Sequence, residues 1–402
     1  MRGLRCTGCG QPCGKPLPPG QGHLAGGTRY PRSVSNLDSA PDEQTCVALP
    51  GPTTALEVLE PREVPLGGAR AMTVRRTLPQ RSRSLVGAWC FLDHFGPDDV
   101  TTGPGMQVPP HPHTGLQTVT WLFGGEIEHH DSVGSACLVR PGELNLMTAG
   151  RGISHSEHSP DDRTTTTLHG VQLWTALPHA SAGVAPAFEH HDDLPVVQVD
   201  GVRLQVFLGA LPAQPGLGVV ERMESPATTY SEIVGAQIDL DPGTRFTLAV
   251  DPEHEHAFLV DSGDEVTVDG SPLAADNLGY LAPGRHEVVL TTTGRARLVL
   301  VGGRPSTEEI VMWWNFVGRS HDEVVAARAD WQRQIGRADR DTLETLDTLG
   351  APGARAGSGG QESPSTGTGQ DARFGTVVGY DGAPLPAPVL PNVRLAPRRN
   401  PS

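Results

Sequence analysis

Lysine is almost missing from this chain of 402 residues. Lys15 is the single example, and the other basic residues are arginines. Enzymes that work through a lysine Schiff base are therefore excluded for the main body of the chain. The abundance of Arg, Gly and Ala in place of Lys is typical of a GC-rich bacterial genome.

Cysteine is also scarce, and six thiols in a chain of this length do not form a disulfide framework. Cys6, Cys9 and Cys13 lie close together in the run CTGCGQPC. Three interpretations stay open: a flexible extension with incidental thiols, a zinc site completed by His23 or Cys46, or a redox-labile thiol group. The first is favoured because no second CxxC completes the spacing.

Long apolar segments are absent as well. No run approaches the length needed to span a bilayer, and the N-terminus lacks the apolar core of a secretory signal. The sequence therefore predicts a cytoplasmic location and no membrane partner. The formal net charge of −15 argues against direct binding of nucleic acid.

Length and composition predict about two domains with polar ends, since Gly and Pro together exceed a fifth of the chain. Residues 1–54 are predicted to be a disordered extension. A first β domain is predicted over residues 55–165 and a second over 166–305. Residues 306–348 are predicted as a helical segment, and residues 349–402 as a flexible linker followed by a Pro-rich tail that packs back as an extended arm.

Short β-type segments separated by turn residues recur through both predicted domains. Residues 118–123 are β-branched and aromatic and end at two glycines, and residues 202–208 and 296–301 are similar runs. Asp269 and Gly270 form a hairpin signal. Many short strands favour an all-β fold of barrel type.

Two short motifs carry the chemistry. His111 and His113 lie in HPHTG, and His155 and Glu157 lie in ISHSE. Each pair is spaced i, i+2, so in a strand both side chains point to one face. Three imidazoles and one carboxylate suit a first-row transition metal, and four protein ligands leave coordination positions open. The sequence therefore predicts a mononuclear metal site inside the first barrel.

The remaining histidines near these motifs are not interpreted as metal ligands. His129 and His130 follow acidic residues beside a predicted hairpin and are interpreted as solvated turn residues, with a place at the rim of the site as the second possibility. His158 would face away from the metal because it adjoins Glu157 in the strand. His94 is interpreted as a packed structural residue.

A second H-x-H pair, His254 and His256, parallels the first pair in the later domain. Its downstream partners, His286 and Glu287, are adjacent in sequence and so point to opposite faces of a strand. The second barrel is therefore predicted to be structural and to hold no metal.

Several long segments resemble one known family. HPHTGLQTVTWL, RPGELNLMTAGRGISHSE and LHGVQLW are similar to the pirin family of the cupin superfamily. VRRTLPQRSRSLVGAWCFLDHFGP upstream and WWNFVGRSHDEVVAARADW downstream are also pirin-like. The resemblance covers about residues 56–335 and the closing segment FGTVVGYDG to RLAPR, and it leaves the first 54 residues without a counterpart.

The resemblance implies an all-β bicupin, two tandem cupin-type barrels with a C-terminal helix, with one Fe(II) in the first barrel. The family's iron ligands fall on His111, His113, His155 and Glu157; Cu, Ni, Co, Mn or Zn are possible substitutes. Many cupins and some pirins carry Glu where this chain has Gln117, and an amide cannot act as a base there.

Two functions follow from this resemblance. The first is a quercetin 2,3-dioxygenase, which would open a flavonol-like small molecule with O2 and release carbon monoxide. Glu157 would be the catalytic residue, since it is the ligand able to accept the substrate proton. The second is an iron redox-sensing binding protein that regulates a transcription factor or a metabolic enzyme.

Overall fold

The structure is a computed structural model that describes residues 55–66, 72–337 and 372–397. The predicted extension, with Cys6, Cys9 and Cys13, and most of the predicted linker lie outside these residues. The described residues are almost entirely β, with one α-helix near the end. The prediction of an all-β fold with two cupin-type barrels and a C-terminal helix is confirmed.

The strands of the first half have the following bounds: β1 Glu57–Leu59, β2 Arg62–Leu66, β3 Met72–Leu78, β4 Trp89–Asp99, β5 Gln107–His113, β6 Leu116–Gly124, β7 Ile127–Asp131, β8 Ala136–Val139, β9 Leu144–Thr148, β10 Ile153–His158, β11 Thr167–Ala176 and β12 Ala187–His191.

The second half contains the following elements: β13 Val196–Val199, β14 Val202–Leu211, β15 Met223–Glu224, β16 Ile233–Leu240, β17 Arg245–Ala249, β18 Glu255–Ser262, β19 Thr267–Val268, β20 Ser271–Pro272, β21 Leu278–Leu281, β22 Glu287–Thr291, β23 Ala296–Gly303, β24 Val311–Trp313, β25 Phe316–Gly318 and the helix α1 His321–Gln334.

Each barrel consists of a large and a small antiparallel sheet. In the first barrel the strand order is β12-β9-β6-β11-β4-β3-β2 in the large sheet and β5-β10-β7-β8 in the small one. In the second barrel the large sheet has the order β1-β21-β18-β23-β16-β14-β13, with β15 also on β14, and the small one β17-β22-β19-β20. The first strand of the described chain therefore belongs to the second barrel.

The two large sheets bury apolar side chains against each other. Along β23, Leu298 and Leu300 point into the second barrel, whereas Val299 and Val301 pack in a cluster shared with strands of the first barrel. A strand that is buried on both faces gives a continuous apolar run instead of an alternating one. This explains why residues 298–301 read as uniformly hydrophobic.

Two tryptophans of the first barrel also donate hydrogen bonds to the second. The indole N–H of Trp89 donates to the carbonyl oxygens of Val234 and Gly302, both at 3.1 Å, and that of Trp121 donates to Gln237 Oε1 at 2.8 Å. Buried indole nitrogens need such partners. The junction between the barrels is thus apolar packing with specific polar contacts.

Strand pairing places the change of barrel later than the sequence suggested. β11 pairs with β4 and β6, and β12 pairs with β9, so the strands from β2 to β12 belong to the first barrel. The predicted boundary at residues 165 and 166 falls just before β11 and separates it from its pairing partners. Turn residues are alike in loops within one barrel and in the connection between the two barrels. Only strand pairing shows to which sheet a strand belongs.

The helix α1 and the C-terminal segment form a further small core. Ser320 caps the helix, since its hydroxyl accepts a hydrogen bond from the backbone N–H of Glu323 at 3.2 Å. The segment 372–397, which the sequence suggested as an extended arm, packs on this helix through Phe374, whose ring lies 5.6 Å from that of Trp331. The arm is therefore anchored to the body by an apolar contact.

We expect Phe374→Ala to lower the free energy of unfolding by about 3–5 kcal/mol, because the change leaves a cavity around a fully buried ring. Denaturant unfolding would measure the loss. Val378→Ala in the same arm is the matched control, since Val378 is 76% exposed and should change stability little. Equal effects of the two substitutions would contradict the packing described here.

Candidate metal centre

The four predicted ligands lie on two neighbouring strands. In the antiparallel pair of β5 and β10, His111 lies directly opposite His155, and His113 opposite Ile153. The i, i+2 spacing points both members of each pair to the inner face of the small sheet. The structure therefore brings all four side chains together at one end of the first barrel.

Two prolines shape this pairing. Pro109 and Pro110 precede His111, and neither can donate a backbone hydrogen bond to β10. The register shifts between His155 and Glu157, so that Glu157 lies opposite Val108. Such a bulge re-aims side chains locally, and it often lies beside a functional site.

The carbonyl groups of the two prolines have other partners. His111 Nδ1 donates to the oxygen of Pro109 at 2.9 Å, and the oxygen of Pro110 accepts from the backbone N–H of Leu385 in the C-terminal arm. The hydroxyl of Ser154 donates to the oxygen of Phe374 in the same arm at 2.9 Å. The arm thus holds both ligand-bearing strands, each beside a predicted ligand.

The three imidazoles form a tight, buried group. The ring centres of His111 and His155 are 4.3 Å apart, those of His113 and His155 4.9 Å, and those of His111 and His113 5.0 Å. Each of the three is 1% exposed, and Glu157 is 7% exposed. One nitrogen from each ring lies within 4.8 Å of the others, which is close enough for all three to hold one ion.

Burial sets the protonation of this group. It lowers the pKa of His111 to about 4, and it lowers those of His113 and His155 well below the ordinary value for histidine. Burial raises the pKa of Glu157. At neutral pH the three rings are therefore neutral and offer lone pairs to a metal.

The hydrogen bonds fix which nitrogen faces the centre. His111 uses Nδ1 for Pro109, and His155 uses Nδ1 for His129, with 3.3 Å between the two Nδ1 atoms. His155 Nε2 is buried and has no hydrogen-bond partner. An orphaned buried nitrogen aimed at two other imidazoles fits a metal ligand, because such a group is otherwise costly to bury.

His129 was interpreted from the sequence as a solvated turn residue, and this is wrong. It is 3% exposed and stacks on Phe188, with the ring centres 4.5 Å apart. Its Nε2 donates to Asp131 Oδ2 at 3.1 Å, which leaves Nδ1 as an acceptor for His155. His129 therefore holds the predicted ligand His155 in place through a hydrogen bond to its Nδ1.

The chain Asp131–His129–His155 fixes the tautomer of the ligand. Asp131 is itself held, because its Oδ1 accepts from the backbone N–H groups of Val133 and Ser135, both at 2.9 Å. Burial acts to raise the pKa of Asp131, but hydrogen bonds from His129 and Ser135 outweigh it and the pKa is lowered. Through its hydrogen bond with His129, the Asp131 carboxylate thus directs the lone pair of His155 Nε2 toward the other two imidazoles.

A small cavity of about 30 Å³ adjoins the four side chains. Its walls are mainly apolar and aromatic, and Phe91 stacks on Trp174 with ring centres 3.9 Å apart. Polar exceptions are Asp93, Gln172 and the predicted ligands. The Arg76 guanidinium donates to both oxygens of Asp93, at 2.6 and 2.7 Å, so this carboxylate is neutralised. A cavity of this volume holds about two water molecules, so a larger ligand would require its walls to move.

Other residues singled out from the sequence lie outside this cavity. Gln117 donates to Thr148 and to the oxygen of Thr228, so its amide is engaged in hydrogen bonds at the barrel junction. His158 pairs with Glu128 at the surface, 3.4 Å away. The rings of His254 and His256 are 6.2 Å apart in the second barrel.

Fold and site together define a bicupin with a candidate metal centre in the first barrel. The family pattern described as Pirin matches residues 71–175, and that described as Pirin C-terminal cupin domain matches residues 235–336. These matches cover half of the chain, and the chain belongs to the pirin family.

Individual relatives agree with this membership. A Pseudomonas aeruginosa protein, provisionally named as a quercetin 2,3-dioxygenase, is 42% identical over 72% of this chain and 88% of its own length. A Pirin-like protein of Caulobacter vibrioides is 35% identical over 68% of this chain and 91% of its own.

A solved structure supports the same assignment. The crystal structure of a quercetin 2,3-dioxygenase from Acinetobacter baumannii has a TM-score of 0.69 and 36% identity. The match covers 84% of this chain and 96% of that one. No helix in the described part of the chain is long and apolar enough to cross a membrane. The cytoplasmic location stays a prediction.

We expect Asp131→Asn to weaken metal binding by about 10–100-fold. The amide of Asn would present a donor to His129, which would reverse the tautomers of His129 and His155 and place an N–H where the ligand lone pair is needed. Competition with a chelator would measure the affinity. Asp192→Asn, at an exposed position, is the control, and an unchanged affinity in both variants would refute the role of the chain behind His155.

Proposed function

We propose that this protein is a metal-dependent dioxygenase of the quercetin 2,3-dioxygenase type, with one Fe(II) held by His111, His113, His155 and Glu157. The observation that carries the proposal is the convergence of three buried, neutral imidazoles and one carboxylate beside an apolar cavity. The names of the relatives agree with this activity. Four protein ligands leave about two positions open on a six-coordinate ion.

The donor set fits iron, although Cu, Ni, Co, Mn or Zn could also bind such a set. A bound ion of this kind supplies a Lewis acid and a template that orients the substrate and O2. The protein residues position the substrate and exclude water. The apolar and aromatic side chains that line the cavity, Trp174 among them, would contact the apolar rings of a flavonol-like substrate.

Proton transfer is assigned to Glu157. Among the four ligands it is the carboxylate, and its Oε1 can accept the proton of the flavonol 3-hydroxyl as a positioned base. The hydroxyl of Thr120 lies 3.2 Å from this oxygen and 3.0 Å from Gln172 Oε1. The single hydroxyl proton of Thr120 can be donated to Glu157 Oε1 or to Gln172 Oε1, so Thr120 is a hydrogen-bond donor within reach of Glu157, and Gln172 adds a polar group to the cavity wall.

The alternative is an iron redox-sensing binding protein that regulates a transcription factor or a metabolic enzyme. No observation on the described residues favours a particular protein partner. The same iron centre would serve both functions, so activity and metal content have to be measured together.

We expect protein loaded with about one iron per chain to consume quercetin and O2, and Glu157→Gln to keep most of the iron and lose at least about 100-fold in turnover. The reason is that an amide cannot accept the substrate proton. Metal analysis, made anaerobically, followed by an aerobic assay of quercetin loss would test this.

Glu128→Gln provides the matched control, since Glu128 lies on the neighbouring strand β7 and pairs with His130 at the surface. It should leave turnover unchanged. Stoichiometric iron without turnover in the wild-type protein would overturn the dioxygenase proposal and favour the redox-sensing alternative.

A further inference from the structure

A second group of ligand-type side chains lies at the junction between the barrels. His94 on β4 and His169 on β11 come from the first barrel, and Asp261 on β18 comes from the second. Their side chains are 0%, 14% and 1% exposed. The group shares no residue with the centre described above, and no sequence motif predicts it because its members are far apart in the chain.

Three atoms of this group converge. Asp261 Oδ1 lies 2.8 Å from His94 Nε2 and 2.6 Å from His169 Nε2, and the two nitrogens are 3.3 Å apart. With these separations a single ion could contact all three atoms at about 2.1 Å, the usual length of bonds from zinc to nitrogen and oxygen. Two imidazoles and one carboxylate on one face form a common ligand set for transition metals.

The hydrogen bonds of His94 require a positive charge at this point. Its Nε2 faces Asp261, and its Nδ1 faces Asp276 Oδ1 at 3.1 Å, whereas a neutral imidazole has only one N–H. Either a second proton or a cation must therefore lie between the ring and Asp261.

The surroundings favour the cation. The Arg75 guanidinium nitrogen Nη2 is 3.4 Å from His94 Nε2 and 3.3 Å from Nδ1, and Asp276 balances the charge of this arginine. Asp276 on Nδ1 is the carboxylate that commonly lies behind a ligating histidine and fixes its tautomer. An ion pair between His94 and Asp261 would need no third group, yet His169 also directs its Nε2 at Asp261 Oδ1, 2.6 Å away.

The arginines nearby are already paired. Arg75 Nε contacts Asp276 at 2.9 Å, and Arg297 Nε contacts Asp239 at 3.0 Å. Arg297 also reaches the other oxygen of Asp261, Oδ2, at 3.4 Å. Asp261 Oδ1 is therefore the oxygen that faces the Nε2 atoms of both His94 and His169.

We propose that His94, His169 and Asp261 bind a divalent transition-metal cation of the zinc class at the junction of the two barrels. Because two ligands belong to one barrel and the third to the other, the bound ion ties the barrels together. The site is structural, and it stands independently of the dioxygenase proposal.

The test is zinc stoichiometry of purified, metal-free full-length protein after reconstitution and removal of free metal. We expect about two equivalents for the wild type, about one for His169→Gln, and about one for a variant that combines His111→Ala with His155→Ala. All three substitutions together should leave almost none. His191→Gln is the matched control: His191 pairs with Glu189 at 3.1 Å but with no second imidazole among the described residues, so it should keep two equivalents.

A second measurement guards against variants that fold poorly. In the protein with His111→Ala and His155→Ala, zinc should raise the melting temperature, and Co²⁺ should give visible absorption bands of a nitrogen- and oxygen-bound ion. Both signals should disappear when His169→Gln or the isosteric Asp261→Asn is added. One equivalent in the wild type and none in the double variant would overturn the proposal and leave a proton between His94 and Asp261. A melting shift that persists without His169 would overturn it as well.

Discussion

The register of β5 against β10 is the constraint on which the candidate centre depends. His111 and His155 lie opposite each other because the two strands pair antiparallel, and the shift at Glu157 follows where Pro109 and Pro110 interrupt the ladder. Since side chains alternate along a strand, a slip by one residue would turn every ligand to the wrong face. The freed proline carbonyls bind His111 and the C-terminal arm, which stabilises this register.

Packing between the two large sheets holds the first barrel against the second. Trp89 and Trp121 reach from the first barrel to backbone and side-chain acceptors of the second, within a shared apolar cluster. The charged groups around His94 and Asp261 lie at the edge of the same junction. Opposite charges at a buried junction need close partners, because leaving one unpaired costs several kcal/mol.

The sequence predicted the elements with strong local signals. The hairpin at Asp269 and Gly270 and the i, i+2 pairs both depend on neighbours within a few residues. The interpretation of His129 as solvated was wrong, because its burial depends on Phe188 from a strand some sixty residues later. The boundary at residues 165 and 166 was misplaced for the same reason, since β11 is assigned by its pairing partners.

By itself, the sequence determined the all-β class, the two-barrel repeat, the pirin resemblance and the four residues proposed to bind the metal. The resemblance depends on long matching motifs, and the other predictions depend on composition, periodicity and spacing, which are local properties of the chain. Only the tertiary structure decided that Asp131 and His129 stand behind His155, and that His94, His169 and Asp261 converge from two barrels. Contacts between distant segments are set by strand register and by sheet packing, and no short stretch of sequence encodes either one.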